Sequence, residues 1–142
     1  HQSGPAFERQ FIQTYTQTVC MLARNRPVYI VKPVPEMPFS VYKGLALQHR
    51  LLGMNSDIVT PVSEYQARNR LALEAIETAA ERCHAGIVDP VPYLCPDGRC
   101  MGSKDGRPLY FDDNHLIDAG NEQLKGLFKQ ALHSSTGSTA VR

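Results

Sequence analysis

Apolar positions divide the chain into segments of two different periods. Phe7, Phe11, Tyr15, Val19 and Leu22 recur at steps of four, four, four and three, which predicts one face of an amphipathic helix over about residues 5–24. Asn25 follows it, and Pro27 forbids its continuation. From Val28 to Val31 the chain is apolar without alternation until Lys32, the pattern of a short strand buried on both faces, as in a parallel sheet. Pro33, Pro35 and Pro38 end that strand in an irregular loop. Val41 to Gly53 reads as a second, shorter helix with Gly53 as its stop. Asp57 to Pro61 is a short strand or an extended linker.

The second half repeats the alternation. Ser63 and Gln66 fit a capping box. Leu73, Ile76, Ala80 and Cys83 then step by three, four and three, predicting a long helix over about residues 64–84. After Gly86, the run Ile87 to Leu94 is another short apolar strand broken by proline, and Pro108 to Phe111 offers one more extended piece. Leu124, Leu127, Phe128 and Ala131 mark a last amphipathic helix. Residues 134–142 are polar and are expected to fray beyond a domain spanning 1–133.

The order helix, strand, helix, helix, strand, helix is that of a layered α/β fold, and helical crossovers imply parallel pairing. Two convincing strands are fewer than the roughly four to six of an ordinary sheet. A strand as apolar as Val28 to Val31 would also leave a sticky edge without a neighbour. Further strands are therefore expected upstream, in keeping with a chain that starts at His1 and not at Met.

Composition narrows the function classes. The 142 residues suffice for one domain with a real core. A net charge of +1 with 20% charged residues gives no nucleic-acid or anionic-membrane footprint over the chain as a whole. No apolar run is long enough for a membrane span, and no signal peptide is visible. Cys95 and Cys100 enclose Pro96, Asp97 and Gly98, all turn formers, so the two thiols are placed to form a disulfide. So short a loop gains only about 2 kcal/mol, but it implies an oxidising compartment. Cys20 and Cys83 lie in helical patterns and read as buried small apolar residues.

Candidate chemistry sits in Pro108–Gly120. Asp112 and His115 are three residues apart, a spacing that can lay a carboxylate beside an imidazole ring. The carboxylate would hold one ring N–H and leave the other nitrogen to act as general base. A second reading has Asp113 or Asn114 capping the last helix, where acidic residues favour the positive end of its dipole. The two are compatible. A third reading is a metal site of Asp112, Asp113 and His115.

The segment from Cys95 to Leu124 resembles the C-terminal block of the SGNH hydrolase-like domain fused to family 3 membrane acyltransferases. The matching features are Cys95 and Cys100, Leu109 with Tyr110, Asp112, His115 with Leu116, and Ala119 with Gly120. Val28 to Pro38 also resembles the family's strand and proline loop, while Ile117 stands where a small hydroxyl residue is common. The resemblance implies a three-layer α/β/α fold with a flavodoxin-like parallel sheet, whose N-terminal strands lie outside this sequence. It implies a Ser-His-Asp triad with Asp112 as orienter and His115 as base. It implies O-acyl transfer, such as O-acetylation, to a cell-surface glycan or lipopolysaccharide. The setting would be a periplasmic domain of a bacterial inner-membrane protein, with an acyl donor reaching it through the membrane domain and no cofactor.

The family's serine belongs to a Gly-Asp-Ser motif after the first strand, and its oxyanion donors are a glycine and an asparagine. No Gly-Asp-Ser occurs here. Ser3, Ser40, Ser56, Ser63 and Ser103 lack that setting, and Gly53 to Asn55 falls too late to be the oxyanion block. The chain is therefore expected to carry the histidine and aspartate of the triad and to be inactive alone. An esterase of the same fold and a non-catalytic glycan-binding module are the alternatives. Among other candidates, Cys83 and His84 would be a thiol–imidazole pair only if helix neighbours faced each other, which they do not. Lys32 and Glu36 flank the proline loop, as acceptor-sugar contacts or as solvated residues. Asp89 is a turn or a site residue, and His49 and His133 read as surface positions.

Overall fold

The structure is a computed structural model that describes residues 4–53 and 56–136. Helix α1 (Pro5–Ala23) begins on a proline, whose missing N–H costs nothing in a first turn. Phe7, Phe11 and Tyr15 stack along it with ring centroids 6.3 and 6.2 Å apart, yet Phe7 and Phe11 are exposed. Its buried face is Thr16 and Val19. That face packs on α3 (Val62–Cys83), where Ile76, Ala79, Ala80 and Cys83 close over Ile30. The small alanines let the two helices approach closely. Cys20 and Cys83 meet across this interface and are joined by a disulfide, 63 residues apart in sequence. The expectation of two buried thiols is thus corrected: facing helices bring the sulfurs together, which neither helical pattern reveals.

Strands β1 (Tyr29–Val31) and β3 (Gly86–Val88) pair in parallel, with Ile30 opposite Ile87. Gly86 N–H to Val28 O (2.8 Å) and Lys32 N–H to Val88 O (2.9 Å) extend the ladder. The strand expected to be buried on both faces has one buried face. Ile30 points into the α1–α3 core, whereas Tyr29 and Val31 are 38% and 48% exposed. Their side carries a cavity of about 330 Å³, with Phe128, Ala131 and Leu132 of the last helix on its far wall.

The remaining elements enclose a second core. Helix α2 (Val41–Leu52) ends at Gly53, whose φ of 58° makes the left-handed cap that glycine supplies at least cost. Strand β2 (Val59–Pro61) runs antiparallel to β4 (Arg99–Met101), so Asp57 to Pro61 does contain a strand. The capping box at Ser63 does not form, because α3 already begins at Val62 behind Pro61. Thr60 Oγ1 instead donates to Glu64 Oε2 at 2.8 Å. Ile87 to Leu94 is only partly strand: Asp89 Oδ1 accepts the Val91 N–H, and Val91–Leu94 turns into the short helix α4. Cys95 and Cys100 are disulfide-bonded across the turn between α4 and β4. A small hairpin, β5 (Ser103–Lys104) and β6 (Arg107–Pro108), leads to α5 (Asp118–Thr136). Met37, Val41, Ile58, Tyr65, Leu94, Leu109, Tyr110 and Leu124 fill the core between them, with the Cys95–Cys100 bridge.

Helices and small sheets together are compatible with an α/β fold. Among the described residues the strands form three two-stranded sheets. Residues 134–136 of the expected polar tail belong to α5, and 137–142 lie outside the described residues. No described helix is long and apolar enough to cross a membrane.

Candidate active site

Residues 109–117 form a closed loop between β6 and α5. Tyr110 and Leu116 bridge in antiparallel fashion, Phe111 N–H donates to His115 O (2.8 Å), and Ile117 N–H donates to Leu109 O (3.0 Å). Tyr110 is fully buried beneath the loop, and burial pushes its phenol pKa up. Gly120, in the first turn of α5, lies against Leu109. A Cβ there would overlap the Leu109 carbonyl oxygen and sit 2.6 Å from Leu116 Cδ2. The glycine lets α5 start close enough to hold the loop.

Within the loop Asp112 uses both carboxylate oxygens. Oδ1 accepts the backbone N–H groups of Asn114 (3.0 Å) and His115 (2.8 Å), and Oδ2 faces His115 Nδ1 at 2.8 Å. A carboxylate can only accept, so the ring donates from Nδ1. These bonds, led by the Asn114 and His115 amides and followed by the ring, hold the Asp112 carboxyl down at a pKa of about 2. The His115 side chain is 76% exposed, and its second nitrogen makes no hydrogen bond to a hydroxyl among the described residues. Two bonds from outside fix the loop: Met37 N–H to Asp113 O (2.7 Å) and Val41 N–H to Asp112 O (3.0 Å). The proline loop after β1 and the start of α2 are thereby tied to the Asp112–His115 turn.

The helix-capping reading is corrected. Helix α5 begins at Asp118, beyond His115, so Asp113 and Asn114 do not cap it. Asp112 caps amides of its own turn, the Asx geometry open to a short carboxylate. No three His, Cys, Asp or Glu side chains converge as a cation site requires among the described residues.

Other candidate residues have structural partners. Lys32 bridges Glu77 and Asp89, both at 3.2 Å, and Glu36 pairs with Arg68. Cys83 is in a disulfide and has no thiol to pair with His84, which ends α3 at φ 54°. His133 Nδ1 lies 2.6 Å from Lys129 O, and His49 is exposed. Ser103 is fully buried, donating to Asp57 Oδ1 (2.9 Å) and accepting from Ile58 N–H (2.9 Å). Ser40 precedes α2 and Ser56 hydrogen-bonds Gln48. Ser3, Met54 and Asn55 lie outside the described residues. Nothing in the residue pattern points to the Met37 and Val41 anchors, which act through backbone groups alone. Nor did it mark Asp57, which accepts from Ser103, Asp105 and Gly106 to hold the β5–β6 turn.

A carboxylate bonded to Nδ1 of an exposed imidazole is an arrangement also found between the orienter and base of hydrolase triads. A protein-family model described as SGNH domain (fused to AT3 domains) matches residues 1–130. The chain belongs to this family. No curated protein and no solved structure matches it. Membership makes this an SGNH domain associated with acyltransferase-3 proteins, and so part of a membrane-protein parent. Asp112, His115 and Gly120 all lie within the matched segment.

Proposed function

We propose that this SGNH domain supplies the base and orienter of a Ser-His-Asp triad for O-acyl transfer to a cell-surface glycan hydroxyl. The observation that carries it is the 2.8 Å contact between Asp112 Oδ2 and His115 Nδ1. In this reading a serine encoded upstream attacks the acyl donor's carbonyl as His115 Nε2 takes its proton. The tetrahedral intermediate collapses to an acyl-serine, and His115 returns the proton to the leaving group. The glycan hydroxyl then attacks the acyl-serine as His115 removes its proton, and the second tetrahedral intermediate expels the serine oxygen, which takes that proton back from His115. Asp112 keeps the ring in the Nδ1–H form and stabilises the imidazolium.

The serine and oxyanion donors come from the rest of the parent, so the present chain is inactive by itself. Among the described residues β1 and β3 pair only with each other, and the outer edges this leaves support further strands completing a parallel sheet in a three-layer α/β/α domain. Two disulfides suit an oxidising periplasm. The test is hydrolysis or transfer by the complete parent after His115→Ala. Turnover should fall by about a thousandfold or more, and unchanged turnover would remove the triad role.

A further inference from the structure

An open apolar groove of about 390 Å³ runs along α2, lined by Phe39, Ser40, Lys43, Gly44, Leu47 and Gln48. It begins beside the Asp112–His115 turn. Phe39 and Ser40 lie between Met37 and Val41, whose N–H groups bond the carbonyls of Asp113 and Asp112. The groove is thus continuous with the segment that holds the candidate base. Gly44 shapes it: a Cβ at 44 would sit 2.5 Å from Phe39 Cε2 and 2.9 Å from Ile58 Cδ1. Glycine there lets the Phe39 ring settle against the helix as one wall, still 49% exposed, with Leu47 (57% exposed) farther along.

We propose that this groove receives the acyl chain of the transferred group, and that the chain is longer than acetyl. The proposal rests on the acyl-transfer reading above. The lining decides between acyl chain and sugar. Gln48 Oε1 already accepts from Ser56 Oγ, and Lys43 can lay its methylenes along the groove with its ammonium in water. Carbon makes up most of the lining surface and only Ser40, Lys43 and Gln48 offer polar side-chain atoms, so a pyranose would leave most of its wall-facing hydroxyls without a protein partner, a cost an alkyl chain does not incur. The volume falls in the range of ligand sites, and the single methyl of an acetyl group would leave most of it unfilled. Burial is worth roughly fourfold per methylene, so a partly open groove should favour a six-carbon over a two-carbon acyl group by about ten- to a hundredfold.

The test uses the complete parent protein with nitrophenyl acetate, butyrate and hexanoate, measuring kcat/KM for each. The expected result is a rise with chain length, and a hexanoate-to-acetate ratio that drops at least about tenfold in Leu47→Asp. The ratio cancels any general loss of folded enzyme. A series that is flat or favours acetate in the wild type, or a ratio unchanged in Leu47→Asp, overturns the groove assignment. His115→Ala separates the two ideas. If it abolishes turnover of every ester while the ratio ignores Leu47→Asp, the groove fails and the triad stands. If it leaves turnover intact, the triad reading fails and the groove proposal falls with it.

Discussion

Replacing Asp112 with asparagine separates what the carboxylate does for the loop from what it does for the histidine. Oδ1 holds two backbone amides, at 3.0 and 2.8 Å, and the amide oxygen of asparagine can keep both. Oδ2 receives the His115 Nδ1 proton at 2.8 Å. In asparagine an NH₂ group stands there, which donates and cannot accept. The ring must then present a bare Nδ1 and carry its proton on Nε2, where the serine's proton should go. Changing the carboxylate to an amide in this arrangement is worth about ten-thousandfold in kcat through the wrong tautomer. Asp112→Ala should lose the same factor and also release the Asn114 and His115 amides. The assay is ester turnover by the complete parent, with amide hydrogen exchange at residues 114 and 115 as the structural readout. Slowed exchange preserved in Asp112→Asn with kcat down about a thousandfold or more supports the division of labour. A fall of less than about tenfold in Asp112→Asn would refute it.

Four further outcomes follow from the same geometry. Gly120→Ala should destabilise the fold by about 1–3 kcal/mol in denaturant titration, because its Cβ would overlap the Leu109 carbonyl; an unchanged midpoint would show that α5 shifts freely. Tyr110→Phe should raise stability by about 1 kcal/mol, since the buried hydroxyl has no hydrogen-bond partner among the described residues, and a loss of that size would reveal a partner. Removing the Cys20–Cys83 disulfide by paired serine substitution should cost about 4 kcal/mol, against about 2 for Cys95–Cys100, because the first closes a loop of 63 residues and the second one of 5; equal losses by calorimetry would contradict the loop-length argument. The Asp112 carboxyl should titrate near 2 in the folded chain and near 3.8 unfolded, so its stabilisation is complete above pH 3.8 and lost as pH falls toward 2. Carbon NMR of that carboxyl checks the value, and a midpoint near 3.8 in the folded protein would mean the turn's hydrogen bonds are absent.

What the sequence made legible was local. The periodicities of α1 and α3 located those helices closely, and Gly53 stops α2 with the backbone that its identity suggested. The parallel β1–β3 pair was readable because crossover helices leave little alternative. Asp112 and His115 were readable because a three-residue spacing is itself a geometric constraint. Contacts between distant segments left no such trace. Cys20 meets Cys83 only because α1 crosses α3 at that level. Thr60 pairs with Cys100 through two strands of three residues each, too short for a period to show. The late start of α5 follows from the Tyr110–Leu116 bridge, which takes up residues that a cap would otherwise have used. The anchors at Met37 and Val41 are amides, which every residue but proline possesses.

The triad role turns on which nitrogen of the His115 ring holds the proton, and nitrogen NMR of that ring reads this without any assay of turnover. In the neutral ring the proton should sit on Nδ1, bonded to Asp112, with Nε2 bare. A proton resident on Nε2, or shared equally by the two nitrogens, would rule the arrangement out.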